Sequence, residues 1–169
     1  RCLIHIVRDM QPPMHAGHQM TASFPATDRA GELSFVRRFA DSQPVNLHQH
    51  WDQMFQQARV SAPGGDWAAA LARAWPRDRI TGLNRKGSAV YQFASQVEET
   101  RELARLVAYR GTFARAAPLG QAAPIMTAHE NAYALALAGR RVATAGYRIA
   151  DMLALAIDQA AATSAVCPT

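Results

Sequence analysis

Thiol chemistry is almost absent from this chain. Its 169 residues include two cysteines, Cys2 and Cys167, near opposite ends. Neither stands in a C-x-x-C pair, which excludes a zinc site built of thiolates. The two could form one disulfide in an oxidising compartment or stand as unrelated thiols, and both readings stay open. Long apolar runs are missing too: nothing approaches the roughly 20 residues that span a bilayer. The pattern of a secretory leader, basic and then apolar with a small-residue cleavage site, is also absent. Arg1 runs directly into a Cys-Leu-Ile-His-Ile-Val segment with no capping residue ahead of it. The sequence therefore reads as starting inside a structural element, as a processed or truncated piece would. Polybasic tracts, internal repeats and low-complexity segments are lacking. The formal net charge of +5 is carried mostly by arginine. It is compatible with an anionic partner but does not by itself indicate nucleic acid.

What remains is material for one helical domain. The length suits a single core, and the 49% of hydrophobic residues are rich in Ala and Leu with modest Val and Ile. The expected fold is mainly α and compact. Residues 2–9 read as a buried helix stopped by Pro12-Pro13. Residues 16–45 read as a long loop, with a strand or short hairpin near 32–39, and loops of that length are usually functional. Asn46 is a plausible N-cap for a helix running to about Arg59. Ser61 to Asp66 is a break, and Asp66 caps a short helix through Ala74. A helix over about 88–110 shows Val90, Phe93, Val97, Leu103, Val107 and Ala108 forming much of an apolar face. The last, over about 126–160, shows Leu135, Leu137, Val142, Ile149, Leu153 and Ile157, with Gly139 and Gly146 read as sites of close packing or a bend.

Five side chains able to bind metal stand in two clusters, His5-x-x-x-Asp9-x5-His15 and His48-x-x-x-Asp52. A His and an Asp four apart on a helix share one face, so each pair can reach one point. The set is sulfur-free, which suits zinc in a hydrolytic site with one position left open. The alternative is two ordinary surface pairs, each hydrogen-bonded within itself. Spacing alone leaves both open. The Pro12-Pro13 turn favours the metal site, because it can swing His15 back towards Asp9.

The residues around these clusters resemble the zinc-dependent S1/P1 nuclease family. His5-x-x-x-Asp9-x-x-x-Pro13-Met14-His15 is similar to the family's H-x-x-G-D-x-x-Q-P-L-H, and Asn46-Leu47-His48-x-x-Trp51-Asp52 to its N-L-H-x-x-W-D. Glu99-Thr-x-x-Leu103-Ala104 and Arg141-Val-Ala-x-Ala-Gly146-x-Arg148 resemble two later motifs. The resemblance implies a compact helical domain of the phospholipase C/P1 nuclease type, with residues 1–169 forming a single domain that is the C-terminal portion of a larger one. It implies a secreted or periplasmic zinc phosphodiesterase hydrolysing single-stranded DNA or RNA, and 3′-nucleotides, by a zinc-activated water. His15, His48 and Asp52 would hold one zinc of three, and His5 and Asp9 would belong to the neighbouring pair, with Asp9 the bridging, catalytic carboxylate.

The departures are specific. The family's first-half ligands are absent, so only one zinc has its full set here. Arg8 replaces a Gly, and the base-recognition loop D-R-G-G-N reads Asp28-Arg-Ala-Gly-Glu32. Glu32 and Arg37 are weak candidates for substrate contact, Arg37 with Arg38 being by default a solvated charge pair. His50 points off the ligand face as a solvated or packing histidine, His18 reads as a loop histidine, Trp51 as a core anchor, and His129-Glu130 as the opening of the last helix. Two other functions compete. One is a zinc-dependent phospholipase C, towards which Met14 and Ala16 lean. The other is a non-catalytic fragment needing a missing N-terminal segment or second chain.

Overall fold

The computed structural model describes residues 2–60, 66–83 and 89–165. Among them are five α-helices and a two-stranded sheet. Helix α1, Cys2–Asp9, ends where Pro12 and Pro13 remove the next backbone donors, and Pro13–His15 form a 3-10 turn. The chain then loops to β1, Phe35–Val36, which pairs antiparallel with β2, Val45–Asn46, with Phe35 opposite Asn46. The strand is shorter than the segment expected, and its partner lies beyond the loop at 37–44 and not within 32–39. Helix α2, Leu47–Val60, starts on its expected cap: the Asn46 side-chain oxygen accepts from the Gln49 N–H at 2.7 Å. Helix α3, Trp67–Ala74, starts likewise on Asp66, which accepts from the Ala69 N–H. The expected break at 61–65 and Cys167 lie outside the described residues, and Cys2 is exposed as a free thiol.

Helix α4, Ala89–Leu103, passes into a π-helical turn, Ala104–Ala108. Helix α5, Ala128–Ala165, is continuous for 38 residues, a rod of about 57 Å. Against this rod α2 packs most extensively, and α1 and α3 lie alongside. The main core gathers Met14, Leu47, Trp51, Met54, Phe113, Met126 and Ala138. Trp51 is fully buried, which makes it the core anchor expected. No helix among the described residues is long and apolar enough to cross a membrane.

Several expected faces are turned. Helix α1 is not buried all round: Val7 points inward, while Ile4 and Ile6 are 49% and 48% exposed. In α4 the inward stripe is Gln96, Thr100, Ala104 and Ala108, and Val97 is exposed. In α5 the stripe that meets the core is Leu137, Ala138, Arg141, Ala145, Arg148 and Met152, whereas Leu153 and Ile157 face out. A sequence period reports where apolar residues recur, but the partner helices decide which side is covered. Neither Gly139 nor Gly146 is required by packing. A methyl at Gly139 would make ordinary contact with Trp75 and Leu71, and one at Gly146 would meet open space.

The start of α5 is a capping box. The Thr127 hydroxyl accepts from the Glu130 N–H at 3.1 Å, and Glu130 returns a carboxylate oxygen to the Thr127 N–H at 2.8 Å. Its other oxygen accepts from the Thr112 N–H at 2.8 Å, tying the preceding loop to the helix. Gly111, at φ +57°, is needed there, because a Cβ would sit 2.6 Å from that same oxygen. Partial burial works to raise the Glu130 pKa, but hydrogen bonds from Thr112 and Thr127 overcome it and hold the group at about 2. A folded pKa below the ordinary value means stability that is complete above about pH 4.5 and lost as pH falls towards 2. Glu130→Ala should therefore cost about 1 kcal/mol at neutral pH, and the gap to the parent should narrow by pH 3 in denaturant unfolding at the two pH values.

Candidate metal centre

The prolines that stop α1 also prepare the first donor. The Asp9 carbonyl would bond the N–H of residue 13 if the helix continued, but Pro13 has none. The free oxygen accepts instead from Nδ1 of His15, at 2.7 Å. On α2, His48 and Asp52 lie one turn apart, and His48 Nδ1 meets the Ala30 carbonyl at 3.1 Å. A carbonyl can only accept, so each ring carries its hydrogen on Nδ1 and presents Nε2 as a lone pair. Both Nε2 atoms face Asp52, at 3.7 Å from its two oxygens, and the two rings stack with centroids 5.2 Å apart.

The donor atoms of His15, His48 and Asp52 all lie within 4.8 Å of one another, and they are the convergent group of this kind among the described residues. Tetrahedral donors at zinc distances of roughly 2.0–2.1 Å stand about 3.3 Å apart, so small rotations would close the set. Two imidazoles held in the ligating tautomer and one carboxylate fit a zinc-type ion with a position to spare. Pairing with Asp52 raises the His15 pKa against the opposing effect of burial, and the same pairing holds the Asp52 carboxyl below its ordinary value. Asp52 is therefore held as a carboxylate between the two rings.

His5 and Asp9 lie outside this group. His5 Nε2 contacts Asp9 Oδ2 at 2.9 Å, and Arg8 contacts Asp9 Oδ1 at 3.2 Å. The first pair thus satisfies itself on an exposed helix face, and the five side chains do not share one point. His18 is exposed in the loop. His50 is fully buried, accepts from Arg38 Nε at 3.3 Å through Nδ1, and is pushed down to about 4 by burial and by Arg38. It is a packing histidine. Arg37 donates through Nε to the Ser42 carbonyl at 2.8 Å, Arg38 also bonds Gln53, and Glu32 is exposed.

What holds the end of α1 against α5 is a buried arginine whose role sequence reasoning did not assign. Arg141, 2% exposed, donates from α5 to the Gln11 carbonyl at 3.3 Å and the Met10 carbonyl at 3.5 Å. It also bonds the Thr100 hydroxyl and Glu99, both at 2.6 Å, and Thr100 itself donates to Met10. Arg148 shares Glu99. The available signal was position: Arg141 and Arg148 fall on the α5 stripe shared by Leu137 and Ala145, where an unpaired charge would be costly. Beside the donors, a cleft of about 750 Å³ opens between α1, α2, α3 and α5, with Phe55, Trp67, Leu71 and Tyr147 among its walls.

Fold and site together define an α-helical protein with a nitrogen–oxygen donor centre beside an apolar cleft. The family model for S1/P1 nuclease matches residues 1–158, and the chain belongs to that family. No curated protein and no solved structure gave a match. The sequence motifs and the family match therefore agree, and membership in a nuclease family makes hydrolase activity on nucleic acid the coarse function.

The arginine clamp has a direct consequence for stability. Arg141→Met would leave the Met10 and Gln11 carbonyls and the Glu99 carboxylate without this donor. It should lower the unfolding free energy by on the order of 3 kcal/mol, measured by denaturant titration.

Proposed function

We propose that the protein is a secreted or periplasmic zinc-dependent phosphodiesterase acting on single-stranded DNA or RNA, with 3′-nucleotides as further substrates. The observation that carries this reading is the convergence of His15, His48 and Asp52, both rings held with Nε2 free, in a chain of the S1/P1 nuclease family. These three would hold one zinc, and Asp9, with His5, would serve the neighbouring metal position. Zinc bound there would supply an acidified water and positive charge against the phosphoryl oxygens.

The remaining work falls to the chain. Asp52 and Asp9 supply the negative charge that retains cations, and the Asp9 and Ala30 carbonyls keep the two imidazoles oriented. Arg8, paired to Asp9 at the mouth of the cleft, is the cation nearest to where an anionic phosphodiester would approach. Phe55, Trp67 and Leu71 give the cleft apolar walls beside the donors.

A second component of the reading concerns completeness. Ile4, Ile6, Leu153, Leu155 and Ile157 are exposed on α1 and α5, and His5 with Asp9 has no third donor alongside among the described residues. Both support the view that this domain is the C-terminal portion of a larger one, and that another segment or chain covers some of these side chains and supplies further ligands.

Zinc analysis of the 169-residue chain should find one tightly held ion, removed by His48→Ala. In the complete protein, His48→Ala and Asp9→Asn should each lower cleavage of single-stranded DNA by more than the roughly 10- to 100-fold that losing an outer-sphere partner costs. Absence of zinc, unchanged cleavage by both variants, or hydrolysis of phosphatidylcholine in place of DNA would overturn the proposal.

A further inference from the structure

The loop that supplies the Ala30 carbonyl is tied in a way that its exposed position does not require. Arg29 and Ala30 both adopt left-handed backbone angles, φ +53° and +55°, and Gly31 follows at +84°. Two consecutive non-glycine residues in this region are sparsely populated and persist only where the surroundings force them. Gly31 has no room for a side chain: a Cβ would lie 2.8 Å from both Leu47 and the Met14 sulfur, and 3.0 Å from the His48 nitrogen. Its carbonyl accepts from the Leu47 N–H at 3.1 Å. The loop is thereby pressed against the first turn of α2, with Ala30 aimed at the His48 ring.

The force comes from below. Asp28 is completely buried, and no cation neutralises it among its bonding partners. Its carboxylate accepts from the Gln19 N–H at 3.1 Å, the Ser34 hydroxyl at 3.0 Å and the Tyr109 hydroxyl at 3.2 Å. Tyr109 closes the π-helical turn of α4, its N–H reaching back to the Ala104 carbonyl. Such turns insert one extra residue into a helix and commonly mark functional positions. Burial, and then Asp28, push the Tyr109 pKa up, so the phenol remains a donor throughout the working pH range.

We infer that Asp28 and Tyr109 are positioning residues for the His48 metal donor, acting through the Ala30 carbonyl that fixes its ring. The inference rests on the metal reading proposed above. Outer-sphere partners of metal-binding histidines set tautomer and orientation, and their loss typically costs 10- to 100-fold in metal affinity. Here the partner is a backbone oxygen, so the side chains that govern it stand one step further back. Tyr109→Phe removes one oxygen and leaves the ring in place, and Asp28→Asn keeps the shape while removing the charge.

The test is zinc titration of the full chain and of Tyr109→Phe, Asp28→Asn and, as a control that loses only the N-cap of α3, Asp66→Ala. Cobalt(II) substitution would be followed by its visible spectrum, and the melting temperature of each metal-free protein recorded. Tyr109→Phe should bind zinc about 10-fold more weakly, with a shifted cobalt spectrum. Asp66→Ala should keep parental affinity and spectrum despite its lower melting temperature. If both loop variants lose only melting temperature and retain parental affinity and spectrum, the positioning role is overturned. If the parent itself binds no zinc, the metal reading falls and this inference with it. Should Asp28→Asn fail to fold, Tyr109→Phe alone decides.

Discussion

Three successive carbonyl oxygens at the end of α1, those of Asp9, Met10 and Gln11, set the geometry of the donor centre. A helix C-terminus always leaves such groups without intrahelical partners, and Pro13 lacks the N–H that would have met the first of them. The first accepts from His15; the other two accept from Arg141, with Thr100 assisting at Met10. One helix end is thus joined to His15 on one side and to the long helix on the other. Movement of α1 relative to α5 would carry His15 with it.

This arrangement explains Thr100 and Arg141 in an otherwise odd core, in which Gln96 Oε1 and Arg148 Nη1 have no protein partner. Helix α4 presents Gln96 and Thr100 inward, and α5 presents two arginines. Buried polar groups are expensive unless every bonding site is met. Here the donors of Arg141 meet carbonyls, a hydroxyl and Glu99, so the polar layer aligns α1, α4 and α5 in a way that apolar packing would not specify. The same principle operates around Asp28, where a buried carboxylate gathers neutral donors to shape the loop beside His48. The two imidazoles are oriented by backbone oxygens in the folded chain itself, which lowers the reorganisation that binding a cation would demand.

Most helices were legible from local signals. Asn46 and Asp66 are caps whose chemistry depends on neighbours three residues away, and both operate as the sequence implies; Thr127 with Glu130 obeys the same spacing at the start of α5. The π-turn at Ala104–Ala108 has no comparable local signature. Nor was it legible that Val97, Leu153 and Ile157 face outward, since periodicity describes a stripe and not what lies opposite it. In the donor centre, the spacing His48-x-x-x-Asp52 was sufficient because one helical turn enforces it. His15 joined the pair through a proline turn whose direction spacing could suggest but not guarantee. His5 and Asp9 obey the same i,i+4 rule as the second pair, yet bond each other on an open face.

The sequence by itself determined the helical class, the caps, the chain stop at Pro12-Pro13 and the family, because each of these rests on residues close together or on ordered motifs. Tertiary structure brought His15 up to the helical pair and left His5 and Asp9 apart. It placed the Ala30 carbonyl on His48 across 18 positions and Arg141 on Met10 across 131, and it turned the charged residues of α5 into the clamp on α1. Contacts between such distant positions depend on how helices pack and how a strained loop is anchored, and no local pattern encodes either.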